Sequence, residues 1–259
     1  MNGPLIRFRE IRKSFDEHVV LDGVNLTVEK GMVTAIIGRS GVGKSVLLKI
    51  LVGLLAPDGG EILYDGASLL HMRRAERKRL KRKVSYMFQN TALFDSMTVF
   101  ENIALPLEEK TQMSKGDIRT RVLEKMAQLE LHDIPAKYPS QLSGGMRKRV
   151  ALARALITDP EIILFDEPTT GLDPVRKTTV HNMISRYQRE FGFTAIVVSH
   201  DIPDVFTISQ KVAMLERGKI LFEGTHEEIR NSRDPIVQQF IQGAEEPSAS
   251  LWPEPGVQK

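Results

Sequence analysis

The sequence predicts an α/β protein: a parallel sheet covered by helices, with an antiparallel β portion beside it and an inserted α-helical portion. Three observations carry that prediction. The runs VTAIIG (33–38), EIILFDE (161–167) and TAIVVSH (194–200) are short, largely apolar and separated by helical stretches; such alternation implies parallel strands buried on both faces. The N-terminal runs LIRFREIRKSF and VVLDGVNLTVEKG instead alternate polar with apolar residues, as half-exposed strands do. From about Thr91 to Asp159 the pattern is mostly helical.

The remaining elements follow in chain order. After the Pro57-Asp58-Gly59-Gly60 breaker, GGEILYDGAS reads as a strand and turn, and KVSYMFQ as a further strand. Ser114 with Asp117 opens a helix on which Ile118, Val122 and Met126 recur at i+4. KVAMLERGKILFEG is a strand pair turning at Arg217-Gly218. Thr225 with Glu228 caps one short helix, and Asp234-Pro235 opens another that ends near Gly243. The expected folded domain spans 5–243, with its helical subdomain at about 91–159. Residues 244–259, with three prolines, read as an extended tail.

Composition narrows the chemistry. At 259 residues, 41% hydrophobic and 27% charged, the chain is an ordinary globular protein, and a net charge of +3 does not argue for nucleic acid. The absence of cysteine excludes disulfides, thiolate metal sites and cysteine nucleophiles. The most apolar run, VLLKILVGLLA (46–56), contains Lys49 and is too short to span a bilayer. MNGPLIRFREIRKSF lacks the apolar stretch of a signal peptide. A soluble, cytoplasmic chain is expected.

Gly38-Arg39-Ser40-Gly41-Val42-Gly43-Lys44-Ser45 matches G-x-x-x-x-G-K-[ST] between an apolar strand and a helix. Its glycines let the loop turn N–H groups inward around phosphates, Lys44 reaches the β- and γ-phosphates, and the Ser45 hydroxyl binds Mg²⁺. IILFDEP delivers Asp166 to a strand end, where it can hold Mg²⁺, and sets Glu167 beside it as a base for the attacking water. His200 ends another apolar strand, where it either senses the γ-phosphate or is structural. Gln89, at the end of YMFQ, can reach Mg²⁺ and the water.

SQLSGGMRKRVALARAL (140–156) sets Ser143, Gly144 and Gly145 directly before a strongly helical run. A helix N-terminus offers unpaired N–H groups and partial positive charge, and glycines permit close approach. The stretch is suited to hold an anion.

In order, GRSGVGKS, Gln89, LSGGM, ILFDE, GLDP and His200 resemble the ATP-binding subunit of an ABC transporter, a P-loop NTPase fold, from about residue 5 to 243. The resemblance implies ATP and Mg²⁺ as ligands. It also implies a head-to-tail dimer of two copies in which Ser143–Gly145 close on the phosphate loop of the partner. By the same resemblance Phe15 stacks on adenine, although packing of its own strand is an equal reading. Asp173 takes the D-loop position that couples the two sites, Glu167 that of the catalytic glutamate and His200 that of the switch histidine. Met146 stands where the signature usually has Gln, and Gly171 where Ala is commoner; neither touches the Ser-Gly-Gly contact.

ALFDSMTVFENIALPL with SGGMRKRVALARAL most resembles ATPases of Mce/Mla-type lipid transporters. This implies a polytopic permease docking on about 90–110, an Mce-type lipid-binding subunit, in some relatives a small STAS-domain subunit, and a peripheral place on the cytoplasmic face of the bacterial inner membrane. Nucleic acid is not an expected partner. A small-solute importer or lipoprotein-release ATPase is the alternative, with a non-transport ABC ATPase behind them. RRAERKRLKRK (73–83), with eight basic residues and one acid, is a solvated helix or a contact for anionic headgroups. Trp252, between prolines, lies in a disordered tail or serves as a docking anchor.

Overall fold

The computed structural model describes residues 3–87 and 91–245, so Gln89 and Trp252 lie outside the described residues. Two sheets form the frame. Strands β1 (Ile6–Phe15), β2 (His18–Val28), β4 (Gly59–Tyr64) and β5 (Ala67–Ser68) make an antiparallel sheet in the order β2-β1-β4-β5. Strands β3 (Val33–Ile37), β6 (Val84–Met87), β7 (Ile162–Asp166), β8 (Thr194–Val198), β9 (Lys211–Glu216) and β10 (Lys219–Gly224) make the second, in the order β10-β9-β3-β8-β7-β6. It is parallel except for the terminal β9–β10 hairpin.

All five residues of β3, β7 and β8 are buried, which explains their near-continuous apolar runs. Successive side chains face opposite sides of the sheet. Ile36, Leu164, Ile196 and Val198 pack on one side with Leu47 and Leu48 of helix α1 (Lys44–Leu51) and with Ile6 and Phe8 of the antiparallel sheet. Ala35, Ile37, Ile163, Phe165 and Val197 face the other side. There they meet α3 (Val99–Lys110), α4 (Lys115–Gln128), α5 (Gly144–Leu156) and α6 (Pro174–Phe191) in a second core. Helix α2 (Arg74–Lys83) precedes β6, and α7 (His226–Arg230) and α8 (Pro235–Glu245) end the described chain.

Helix starts follow the capping residues. Thr98 accepts from Glu101 N at 3.2 Å while Glu101 accepts from Thr98 N at 2.7 Å, and Thr225 and Glu228 make the same reciprocal pair at 3.2 and 2.8 Å. Ser114 accepts from Asp117 N at 3.2 Å. Asp234 accepts from the N–H groups of Ile236 and Val237, and the helix it starts continues through Gly243 to Glu245.

One polar cluster ties the two sheets at the end remote from the phosphate loop. Glu161 accepts from Tyr64 at 2.5 Å and pairs with Lys30 at 2.9 Å and Lys83 at 3.1 Å. Burial pushes the Glu161 carboxyl up, but the donors Tyr64, Lys30 and Lys83 outweigh it and bring the pKa down to about 2. Burial and the carboxylate raise Tyr64 to about 12.

Candidate functional site

The site forms at the C-terminal ends of β3, β7 and β8, where open parallel sheets receive their ligands. Between β3 and α1 the chain makes the loop 38–43, and two glycines in it answer to specific steric demands. Gly38 has φ +148°, and a Cβ there would meet Leu215 O at 2.2 Å. Gly43 has φ +104°, and its Cβ would meet Val20 Cγ1 at 2.8 Å and Leu21 Cδ2 at 2.9 Å. No side chain caps the N-terminus of α1 and its first turn contains no acidic residue, so this end suits an anion.

Lys44 folds back under this loop. Its Nζ donates to Gly38 O at 2.8 Å and Arg39 O at 2.9 Å, and lies 3.7 Å from Glu167 Oε1. Burial pushes the Lys44 pKa down, and Glu167 opposes that shift. Arg39, Ser40 and Gly41 are exposed at the tip, and Val42 is half-buried.

The Ser45 hydroxyl donates to Asp166 Oδ1 at 2.6 Å, and Tyr86 OH donates to Asp166 Oδ2 at 2.7 Å. Burial and the contact with Asp166 push the Tyr86 phenol well above its ordinary range. Tyr86 is a site residue that sequence reasoning missed. The fold brings it there: β6 pairs parallel with β7, and the register sets Tyr86 opposite Leu164, close to the strand end that bears Asp166.

Glu167 follows Asp166 in the left-handed region, with φ 52°. A non-glycine residue there carries strain on the order of 1 kcal/mol or more. The bond from Glu167 N to Val198 O at 3.0 Å holds it. Its Oε2 accepts from Thr170 at 2.8 Å and lies 2.5 Å from His200 Nδ1. Asp166 and Glu167 therefore diverge, the first toward Ser45 and the second toward Lys44 and His200.

A second layer fixes these loops. Asp201, next to His200, accepts from Thr169 and pairs with Lys177 of α6, and its own N–H donates to Ser199 Oγ at 3.0 Å. Burial pushes the Asp201 carboxyl up, but Lys177 and Thr169 outweigh it and the net shift is downward. Lys148 of α5 donates to the carbonyl of Pro168, directly after Glu167. None of these partners stands out in sequence, because each is an ordinary polar residue until the fold brings it to the site.

The other expected residues lie apart from this cluster. Ser143 caps α5, accepting from Met146 N at 3.2 Å; it and Gly145 are exposed, and a Cβ at Gly145 would meet nothing within 4 Å. Asp173 caps α6, accepting from Arg176 N at 3.0 Å and pairing with its guanidinium at 3.1 Å. Phe15 is 42% exposed at the end of β1, with Lys13 Nζ 5.4 Å from its ring centroid. One ring face is thus engaged by a cation.

The donor set suits a nucleotide with Mg²⁺. Among the described residues no three His, Asp or Glu side chains gather into a metal cage. A cation here would share a hydroxyl, a carboxylate and substrate phosphates, which is how Mg²⁺ is commonly held.

The comparisons with known proteins agree with this geometry. Residues 21–170 match the family described as ABC transporter. The chain belongs to that family. The ATP-binding protein MlaF of an intermembrane phospholipid transport system from Haemophilus influenzae is 40% identical over 243 residues, covering 94% of this chain and 92% of its own. The Escherichia coli K12 protein of the same name is 38% identical over 239 residues, covering 92% of this chain and 89% of its own. A dimeric ATP-binding cassette, MJ0796, bound to ADP and Pi superposes with a TM-score of 0.74 at 33% identity, over 85% of this chain and 98% of that one. The cassette cbiO1 from Clostridium perfringens gives 0.79 at 28% identity, over 93% and 99%. The fold is that of an ABC ATPase and the chain is an ATP-binding, ATP-hydrolysing subunit. Among its described residues no helix is long and apolar enough to cross a membrane.

Proposed function

We propose that this ABC ATPase energises phospholipid movement between the inner and outer membranes of a bacterial envelope, working as a head-to-tail pair on the cytoplasmic face of the inner membrane. The observation that carries the reading is the identity of 40% across 94% of the chain to a phospholipid-transport ATPase, MlaF. Its partners on this reading are a polytopic permease and an Mce-type lipid-binding subunit, with a small STAS-domain subunit added in some relatives.

ATP lies on the loop from Gly38 to Ser45, including Arg39, Ser40, Gly41, Val42 and Gly43, with the adenine on the open face of Phe15. Mg²⁺, when bound with ATP, neutralises charge on the β- and γ-phosphates, and Ser45, Asp166 and Gln89 are the residues to hold it. Lys44 turns its ammonium from the Gly38 and Arg39 carbonyls to the phosphates. Glu167 accepts a proton from the attacking water, and His200, 2.5 Å from Glu167 Oε2, fixes that carboxylate and reads the γ-phosphate. Ser143, Gly144 and Gly145 complete the partner's site, with N–H groups aimed at an anion their own subunit does not supply. Asp173 couples the two sites. Catalysis is then positioning and charge stabilisation of the transferred phosphoryl group.

The permease finds a seat beside α3. An apolar groove of about 630 Å³ is lined by Leu54, Leu55, Leu69, Leu80, Pro106 and Lys110 among others. It adjoins the 90–110 stretch and can take one amphipathic helix.

A second reading comes from a probable ribonucleotide transport ATP-binding protein, mkl, of Mycobacterium tuberculosis, which is 39% identical over 241 residues, covering 93% of this chain and 67% of its own. Purification of the chain with its membrane partners, as wild type and as Glu167→Gln, separates the two. Co-purifying phospholipid with turnover lost in the variant is the expected result. A complex that carries no lipid and whose ATPase responds to a soluble solute would replace the cargo assignment.

A further inference from the structure

The basic run at 73–83 takes no part in the site, and its structure gives it a use. The segment carries eight cations and one acid, a net +7. The whole chain nets +3, which leaves all the remaining residues together at −4. The positive charge is thus concentrated on one short helix.

No residue of α2 is buried, and along 73–83 only Leu80 is even half-covered. The cations recur all round the helix, so no apolar stripe anchors it. Arg74 with Lys78, Lys78 with Arg82 and Arg77 with Lys81 are like-charge neighbours at i,i+4, an arrangement that destabilises an isolated helix. Among the described residues, Lys83 alone of the eight pairs with a carboxylate, Glu161 at 3.1 Å. The single acid, Glu76, accepts from the backbone N–H of Arg73 at 2.7 Å.

The helix has a defined place. Arg77, Leu80 and Lys81 form part of the wall of the apolar groove assigned above to the permease, while Arg74, Lys78, Arg79 and Arg82 stand outside it. Arg77 also donates to the carbonyls of Leu70 and Met72, bracing the helix against that wall. A helix beside a permease seat lies toward the membrane.

We infer that α2 rests on anionic phospholipid headgroups of the membrane that holds the permease, with Arg74, Lys78, Arg79 and Arg82 as the contact. The orientation rests on the transporter reading above. The chemistry favours lipid over other polyanions: the segment has no aromatic side chain to stack a base, and Arg74, Lys78, Arg79 and Arg82 stand outside the groove that can seat a peptide. Diffuse charge of this kind suits a continuous negative surface, each cation near it adding roughly fivefold to partitioning.

The test is sedimentation of the full-length chain with vesicles of phosphatidylcholine alone or mixed with phosphatidylglycerol. Binding only to the mixed vesicles, weakening with added salt, is expected. The variant with Arg74, Lys78, Arg79 and Arg82 all changed to Ser should bind on the order of several hundredfold more weakly with its ATPase unchanged. The charge-preserving set Arg74→Lys, Lys78→Arg, Arg79→Lys and Arg82→Lys should bind like wild type. Equal binding to both vesicles, or a Ser variant that binds like wild type, overturns the inference. So does a Ser variant that keeps vesicle binding but leaves its complex with the membrane partners, which would make the patch a protein contact. The vesicles contain no permease, so their result stands apart from the co-purification that tests the transport reading.

Discussion

His200 Nδ1 lies 2.5 Å from Glu167 Oε2, joining the end of β8 to the residue that follows β7. Thr170 donates to the same oxygen at 2.8 Å, and Lys44 approaches the other oxygen at 3.7 Å. One carboxylate therefore touches a phosphate-loop cation, a histidine and its own turn. Glu167→Gln keeps the shape and an acceptor for Thr170 but removes the carboxylate proposed as the base. Turnover should fall by about 10²- to 10⁴-fold while nucleotide still binds, checked by phosphate release alongside equilibrium binding of ATP.

Lys44→Met should abolish nucleotide binding at concentrations that saturate wild type, with little change in melting temperature. The ammonium is buried on two carbonyls, and a methionine of similar length removes both its charge and the cost of burying it. A large drop in thermal stability would show instead that Lys44 chiefly holds the loop together.

Gly43→Ala asks the loop to accept a methyl group at φ +104°, within 3 Å of Val20 and Leu21. The expected loss is about 1 to 3 kcal/mol of stability, with weakened ATP affinity as the loop shifts. Denaturant unfolding and nucleotide titration read the two effects separately.

Glu161 makes stability depend on acid. Its folded pKa of about 2 lies below the ordinary 4.5, so its contribution is fully present above pH 4.5 and is lost as pH falls toward 2. Glu161→Gln should cost on the order of 2 kcal/mol at neutral pH and flatten the stability profile in that window. Parallel denaturant curves for both proteins through the acid range check it.

Lys177→Met leaves the Asp201 carboxylate buried with Thr169 as its remaining side-chain donor. Destabilisation of about 3 kcal/mol is expected, and adding Asp201→Asn should recover part of it. If the double variant is no more stable than the single, the pair is not the source of the loss.

The site residues that the sequence made legible share one property: their chemistry is tied to a local pattern. The spacing of Gly38, Gly43, Lys44 and Ser45 between strand and helix reads as a phosphate loop because that local geometry uses those residue types together. Asp166 and Glu167 were readable from the buried run that precedes them. Caps such as Ser114 and Thr225 were readable for the same reason, since their partners lie three residues away. Tyr86, Thr169, Lys177 and Asp201 were not, because each finds its partner across the fold.

The sequence by itself determined the alternation of buried strands with helices, the antiparallel start, the helical middle and the phosphate-binding motif. Each of these arises from side-chain periodicity or from backbone demands within a few residues. Tertiary structure decided the rest. It set Asp166 toward Ser45 and Tyr86, turned Glu167 the other way through a left-handed backbone, and joined His200, Asp201 and α6 into one support. It also gathered the cations of α2 beside the apolar groove. Those relationships depend on which strands pair and in what register, and contacts between residues far apart in the chain carry no signature in local sequence.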